Sequence, residues 1–157
     1  MSIVKEFLKN PNKKILFDLP TILENSKKKK IKLREKIIKT YWPYIPPTSC
    51  ITIQKKYFNE IFKNIYFNNF DKIWMDFRIG IFAKYIFKEF HVIEKNLTIY
   101  RKTNNNVSSK FNYLSRNWWK RRLQAFDYLI FFFKKNKINF KKNLDFYITK
   151  IINFLIK

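Results

Sequence analysis

Apolar positions recur along the chain at changing spacings, and the changes mark out its elements. "SIVKEFLK", Ser2 to Lys9, has helical spacing and is stopped by "NPNKK". "KILFDLP" then reads as a short apolar strand ended by Pro20. From Thr21 to Tyr41 the segment is rich in lysine and carries a weak helical period. "WPYIPPTS" is a rigid extended connector, because each proline fixes its own φ and biases the preceding residue toward extended geometry. "CITIQ" alternates as a strand, and "KKYFNEIFKNI" sets Tyr57/Phe58, Ile61/Phe62 and Ile65 at helical spacing. Asp71 stands where an N-cap would start a helix running from Lys72 to Lys88. "FHVIEKNLTIYR" alternates twice, as a bent strand or a hairpin, and "KTNNNVSSK" is a polar loop. Two helices follow, Asn112 to Lys135 and Asn139 to Ile156.

Strand, helix, strand and then helices fit an α/β layered domain. The sheet these segments supply is small and mixed, with flanking helices and two C-terminal helices, and so small a sheet suggests an incomplete domain. The division expected is 1–111 for the α/β part and 112–157 for the basic, aromatic C-terminal helices packed on it.

Composition changes the picture in one direction. The 157 residues hold 34 Lys and Arg against 11 Asp and Glu, a formal net charge of +23, which favours anionic partners. Inflation of Lys, Asn, Ile and Phe together also matches the codon bias of an AT-rich genome, which adds solvated lysines without any ligand, and that plainer reading ranks first. With 46% hydrophobic and 20% aromatic residues the chain has ample material for a core.

The absences exclude more. A single glycine, Gly80, rules out a Gly-rich phosphate loop. A single cysteine, Cys50, rules out an intramolecular disulfide and argues against a thiolate zinc site. One histidine, His91, makes no cluster, and a Cys50/His91 nucleophilic pair competes with both residues serving as core or edge positions in apolar runs. No two acids lie one to four residues apart, so the chain carries no Asp-x-Asp clamp. No signal-peptide pattern or membrane-spanning run is present, so a cytoplasmic protein is expected, soluble or peripheral on the inner face of the membrane.

Acid–base chemistry therefore falls to the carboxylates, and Asp76 in "IWMDFRIGIFAKYIF" is the one to weigh. On a helix Lys72, Asp76, Gly80, Lys84 and Lys88 form one stripe at i, i+4 spacing, so a narrow solvated face with a Lys72–Asp76 pair explains them simply. Yet Gly80 costs a helix about 1 kcal/mol relative to Ala, and it opens the face one turn after Asp76. An early-turn carboxylate is favoured as the anion by the helix dipole, and beside an open face it suits a general base.

"PPTSCITIQKKYFNEIF" followed by "KIWMDFRIGIFAKYIFKEFHVIEKNLTIYRKTNNNVSSK" resembles the C-terminal half of family 2 glycosyltransferases of the GT-A fold. The residues that carry the resemblance are Ser49, Lys55, Lys56, Phe58, Asp76, Arg78, Tyr100, Arg101, Asn106 and Ser108, within Ile15 to Arg122. The resemblance implies a GT-A-like domain, here only in part. It makes Asp76 the general base that takes a proton from an acceptor hydroxyl during inverting transfer from a nucleotide sugar to a glycan or lipid-linked acceptor. Ser49, Arg78, Tyr100, Arg101, Asn106 and Ser108 would contact substrate, and the loop after Tyr100-Arg101 would close over the donor diphosphate. Met75 departs from the usual Glu before the base. The family also implies a divalent metal, Mg or Mn, held by an Asp-x-Asp in a first half that these residues do not match. A complementing N-terminal half is the partner this implies, with little or no activity from this chain alone.

"NWWKRRLQAFDYLIFFFKK" admits three readings. A core-packing helix with solvated charges comes first. A membrane-surface contact, with Trp118, Trp119, Lys120, Arg121 and Arg122 on anionic lipid, comes second. Nucleic acid, with Trp118 and Trp119 stacking on bases, comes third, since no recognised binding motif accompanies the charge.

Overall fold

A computed structural model describes residues 3–33, 41–67, 69–103 and 110–156. They fall into two compact units, one within Met1–Tyr66 and Met75–Thr103, the other within Phe67–Trp74 and Asn104–Lys157. The class is mixed α/β.

The first unit is built around one strand, β1 (Ile15–Glu24), whose residues from Ile15 to Thr21 are all buried. Continuous burial is the mark of a central strand covered on both faces, and it explains why "ILFDLP" reads as an apolar run without alternation. On one edge β1 pairs antiparallel with β2 (Lys27–Lys30) through Thr21–Glu24 and with β3 (Ile51–Ile53) through Ile15–Phe17. On the other it pairs in parallel with β4 (Val92–Arg101). Helices α1 (Ile3–Lys9), α2 (Lys55–Asn64) and α3 (Met75–Tyr85) complete the unit, with a 3-10 turn at Thr48–Cys50.

Two strand expectations need correction. Pro20 does not end β1. It sits where the β1–β4 register jumps from Asp18↔Ile93 to Pro20↔Thr98, so the ladder is already interrupted where the proline N–H is missing. The lysine-rich stretch after Thr21 is not helical over its described part. It turns at Asn25 and Ser26, both with positive φ (48° and 63°), and returns as β2. Two consecutive positive-φ residues make the I′-type hairpin turn, which asparagine tolerates. "FHVIEKNLTIYR" is one bent strand, the bulge at Asp18/Pro20 being its bend.

The second unit centres on α4 (Arg116–Lys135) and α5 (Leu144–Leu155). Both begin later than the apolar period alone suggests, because capping side chains set the start. Ser115 accepts the Trp118 N–H at 3.2 Å, and Asn143 accepts the Phe146 N–H at 3.0 Å. Phe126, Tyr128, Leu129, Phe132, Phe133 and Phe146 form the core. Arg122 binds Asp145 through two oxygens, and Asn153 donates to the Trp119 carbonyl at 2.9 Å, which joins the two helices.

Candidate functional site

The helix holding Asp76 begins at Met75, three residues later than a cap at Asp71 would place it. Asp71 is engaged elsewhere: its carboxylate accepts from Gln124 Nε2 at 2.6 Å and from Lys72 Nζ at 3.1 Å. Lys72 thus pairs with Asp71, not with Asp76. Asp76 lies in the first turn of α3, half-buried, with Oδ1 accepting the Phe77 N–H at 2.7 Å. That contact holds the carboxylate at the helix N-terminus, where the exposed N–H groups favour an anion.

Below Asp76 the stripe is covered at Gly80 and Lys84, α3 ends at Tyr85 before the exposed Lys88, and the gap at Gly80 is filled by the chain itself. Residues 41–47 lie along it. Trp42 packs edge-on against Phe77 at 5.4 Å, and the Tyr41 carbonyl accepts from Lys84 Nζ and Tyr85 Oη, each at 2.7 Å. A Cβ on Gly80 would stand 2.7 Å from Ile45 Cδ1 and 3.0 Å from its Cγ1. Gly80 is therefore the residue that lets the proline-rich connector seat on α3. Burial pushes the Lys84 ammonium pKa down and the Tyr85 hydroxyl up to about 12. Gly80→Ala, normally worth about 1 kcal/mol to a helix, is expected here to destabilise by about 1–2 kcal/mol. In an Ile45→Ala background the same substitution should stabilise. Urea unfolding of the four proteins in the cycle checks both signs.

Above Asp76 a polar cluster joins distant parts of the sequence. Tyr44 lies within electrostatic reach of both Asp76 and Cys50, and its hydroxyl pKa is raised, by burial first and by those two groups after it. Cys50 is fully buried, and burial with the nearby Asp18 carboxylate pushes its thiol up to about 11. Such a thiol stays protonated at neutral pH and is no nucleophile, which removes the Cys50/His91 pair. The Thr98 hydroxyl lies between the Asp18 carboxylate, 3.1 Å away, and the Ser49 carbonyl, 3.4 Å away.

Asp18 is the residue that sequence reasoning passed over. It is 2% exposed, its Oδ2 accepts the Leu97 N–H at 3.2 Å, and it fills the bulge of β4. Burial raises its pKa from 3.8 against the lowering effect of the Thr98 and Leu97 hydrogen bonds. An acid inside an unbroken apolar strand was the available signal. At that burial it pins the bulge and does not face a substrate. Because its folded pKa is raised, its contribution to stability is complete below the unfolded value and is lost as pH rises through the folded one. Urea unfolding from pH 4 to 7 should therefore show wild type losing ground to Asp18→Asn as pH rises; a pH-independent difference counts against this role.

The other sequence candidates are placed unevenly. Ser49 is exposed in the 3-10 turn, and Tyr100 and Arg101 end β4, half-buried and exposed. Arg78 is 3% exposed, and its guanidinium donates to the Ile65 and Tyr66 carbonyls, so it anchors the end of α2 instead of presenting a cation at a surface. Lys55 and Lys56 open α2, and Phe58 stacks on Phe62 at 4.2 Å. Asn106 and Ser108 lie outside the described residues. In the second unit Trp118 and Trp119 pack against each other at 4.7 Å and are half-buried. Arg121 stacks 3.3 Å over the Trp74 ring, Arg122 is paired with Asp145, and Lys120 is exposed.

No family model, curated protein or solved structure matches the chain. Among the described residues no group of three or more His, Cys, Asp or Glu could hold a metal ion, and Asp18 is already satisfied by donors. Among the described residues, too, no helix is long and apolar enough to cross a membrane.

Proposed function

We propose that this chain is the acceptor-side part of a family 2-like glycosyltransferase with a partial GT-A-like fold. In this reading Asp76 is the general base for sugar transfer from a nucleotide-sugar donor to a glycan or lipid-linked acceptor. The observation that supports it is convergence. Two separated segments of the resemblance, the turn at Ser49 and the helix-start acid Asp76, lie in one unit near Tyr44 and Cys50, and the Thr98 hydroxyl, two residues before Tyr100 in β4, is 3.4 Å from the Ser49 carbonyl. An acceptor hydroxyl placed against the Asp76 carboxylate would give up its proton as the sugar–oxygen bond forms and the nucleoside diphosphate leaves. Ser49 and Arg101, both exposed, stand as substrate contacts, whereas Arg78 supports the site from within.

The donor's nucleotide and a Mg or Mn ion would be held by a complementing half carrying Asp-x-Asp, whose charge stabilises the leaving diphosphate. The test joins the chain to such a half and follows transfer from labelled nucleotide sugars to glycan and lipid-linked acceptors. Product that requires both pieces is expected. A folded joined protein that releases no nucleoside diphosphate across the donor panel would overturn the reading.

A further inference from the structure

α5 has a buried face and an exposed apolar one. Phe146, Thr149 and Asn153 are buried, and Phe146 packs edge-on against Phe126 at 5.3 Å and Phe140 at 5.9 Å. Away from that face Leu144, Tyr147, Ile148, Ile151 and Leu155 are 75, 50, 40, 59 and 73% exposed. Their spacing is i, i+3, i+4, i+7 and i+11, one continuous stripe about 18 Å long for a helix of this length. Scattered exposed apolar residues are ordinary, but a continuous stripe of large ones marks a contact surface.

Charge decides what the stripe fits. Lys134, Lys135, Lys137, Lys141, Lys142 and Lys150 are all exposed, at the end of α4, in the following loop and on α5. The two acids between Lys110 and Ile156 are both close to cations. Asp145 is bound to Arg122, and the Asp127 carboxyl pKa is raised by burial, with Lys150 acting in the opposite direction. A second copy of a chain with net charge +23 would bring like charge against like. A surface that is apolar just below an anionic layer matches both features at once.

We propose that α5 lies in the plane of an anionic membrane surface, with Leu144, Tyr147, Ile148, Ile151 and Leu155 entering the headgroup boundary and the exposed lysines of the same unit binding acidic lipid. This moves the membrane contact away from the Trp118–Arg122 run, whose aromatics and arginines are largely committed to packing. It goes beyond the sugar-transfer reading and does not depend on it.

The test is co-sedimentation of the full chain with vesicles of phosphatidylcholine alone or with about 30 mol% phosphatidylglycerol. Binding to the acidic vesicles is expected, at least about tenfold tighter than to neutral ones. Ile151→Glu/Leu155→Glu, on exposed positions that leave the core intact, should weaken it about tenfold with an unchanged circular dichroism spectrum. Several results would overturn the proposal: no binding to acidic vesicles, equal binding by the double variant, retention on DNA without vesicle binding, or self-association that the double variant abolishes without any lipid effect.

Discussion

Asp76→Asn is expected to lower sugar transfer by the joined enzyme about 10³-fold, within the range that general base catalysis contributes. The amide keeps the size of the carboxylate and still offers an oxygen to the Phe77 N–H, so the first turn of α3 retains its local partner. What it loses is the ability to accept a proton from the acceptor hydroxyl. The loss should therefore fall on kcat, with KM for both substrates nearly unchanged and with the melting temperature of wild type. Asp76→Ala should recover part of its turnover when formate is added, since a diffusible carboxylate can take the proton in the vacated space. Turnover by Asp76→Asn within a few-fold of wild type would remove Asp76 from the chemistry, whatever the remaining cluster does.

The second large effect is on stability and lies at Arg122. Its guanidinium meets both carboxylate oxygens of Asp145 at 2.5 Å, and the two side chains are only 17% and 12% exposed. Breaking such a pair by removing one partner leaves a charge that water reaches poorly, at a cost of about 3–5 kcal/mol. Arg122→Met should show that loss in urea unfolding. Replacing both partners, as in Arg122→Met/Asp145→Leu, should restore most of it, since the uncompensated charge is then gone. Vesicle binding by Arg122→Met at a temperature where it is folded should match wild type, because this arginine is spent on the α4–α5 contact. A single variant costing less than about 1 kcal/mol would place the pair with weak surface bridges.

How much of this was legible before the structure follows from the range of the forces involved. Long amphipathic segments showed themselves, because helical burial repeats within a few residues. The stretches around α2, α4 and α5 carry that period plainly, and only their ends moved, where Ser115 and Asn143 supply caps. β2 was hidden because "KKKK" has no apolar alternation, and its strand state comes from pairing with Thr21–Glu24 across an Asn25-Ser26 turn. Asp71 resembled a cap until Gln124, 53 residues away, took its carboxylate. Asp18 looked like one polar letter in a strand, because its donors, Leu97 and Thr98, come from 79 and 80 residues further on.

The sequence by itself determined the mixed α/β class, the approximate places of the main helices, the basic surface and the singular position of Gly80 beside Asp76. These follow from periodicity, composition and backbone freedom, which each residue carries wherever it goes. Only the tertiary structure decided that Ile45 occupies the space Gly80 leaves, that Arg78 and Arg122 are bound inside their units, and that α5 turns an apolar stripe outward. Those outcomes depend on which distant side chain reaches a position first and satisfies it. Local pattern does not encode that choice.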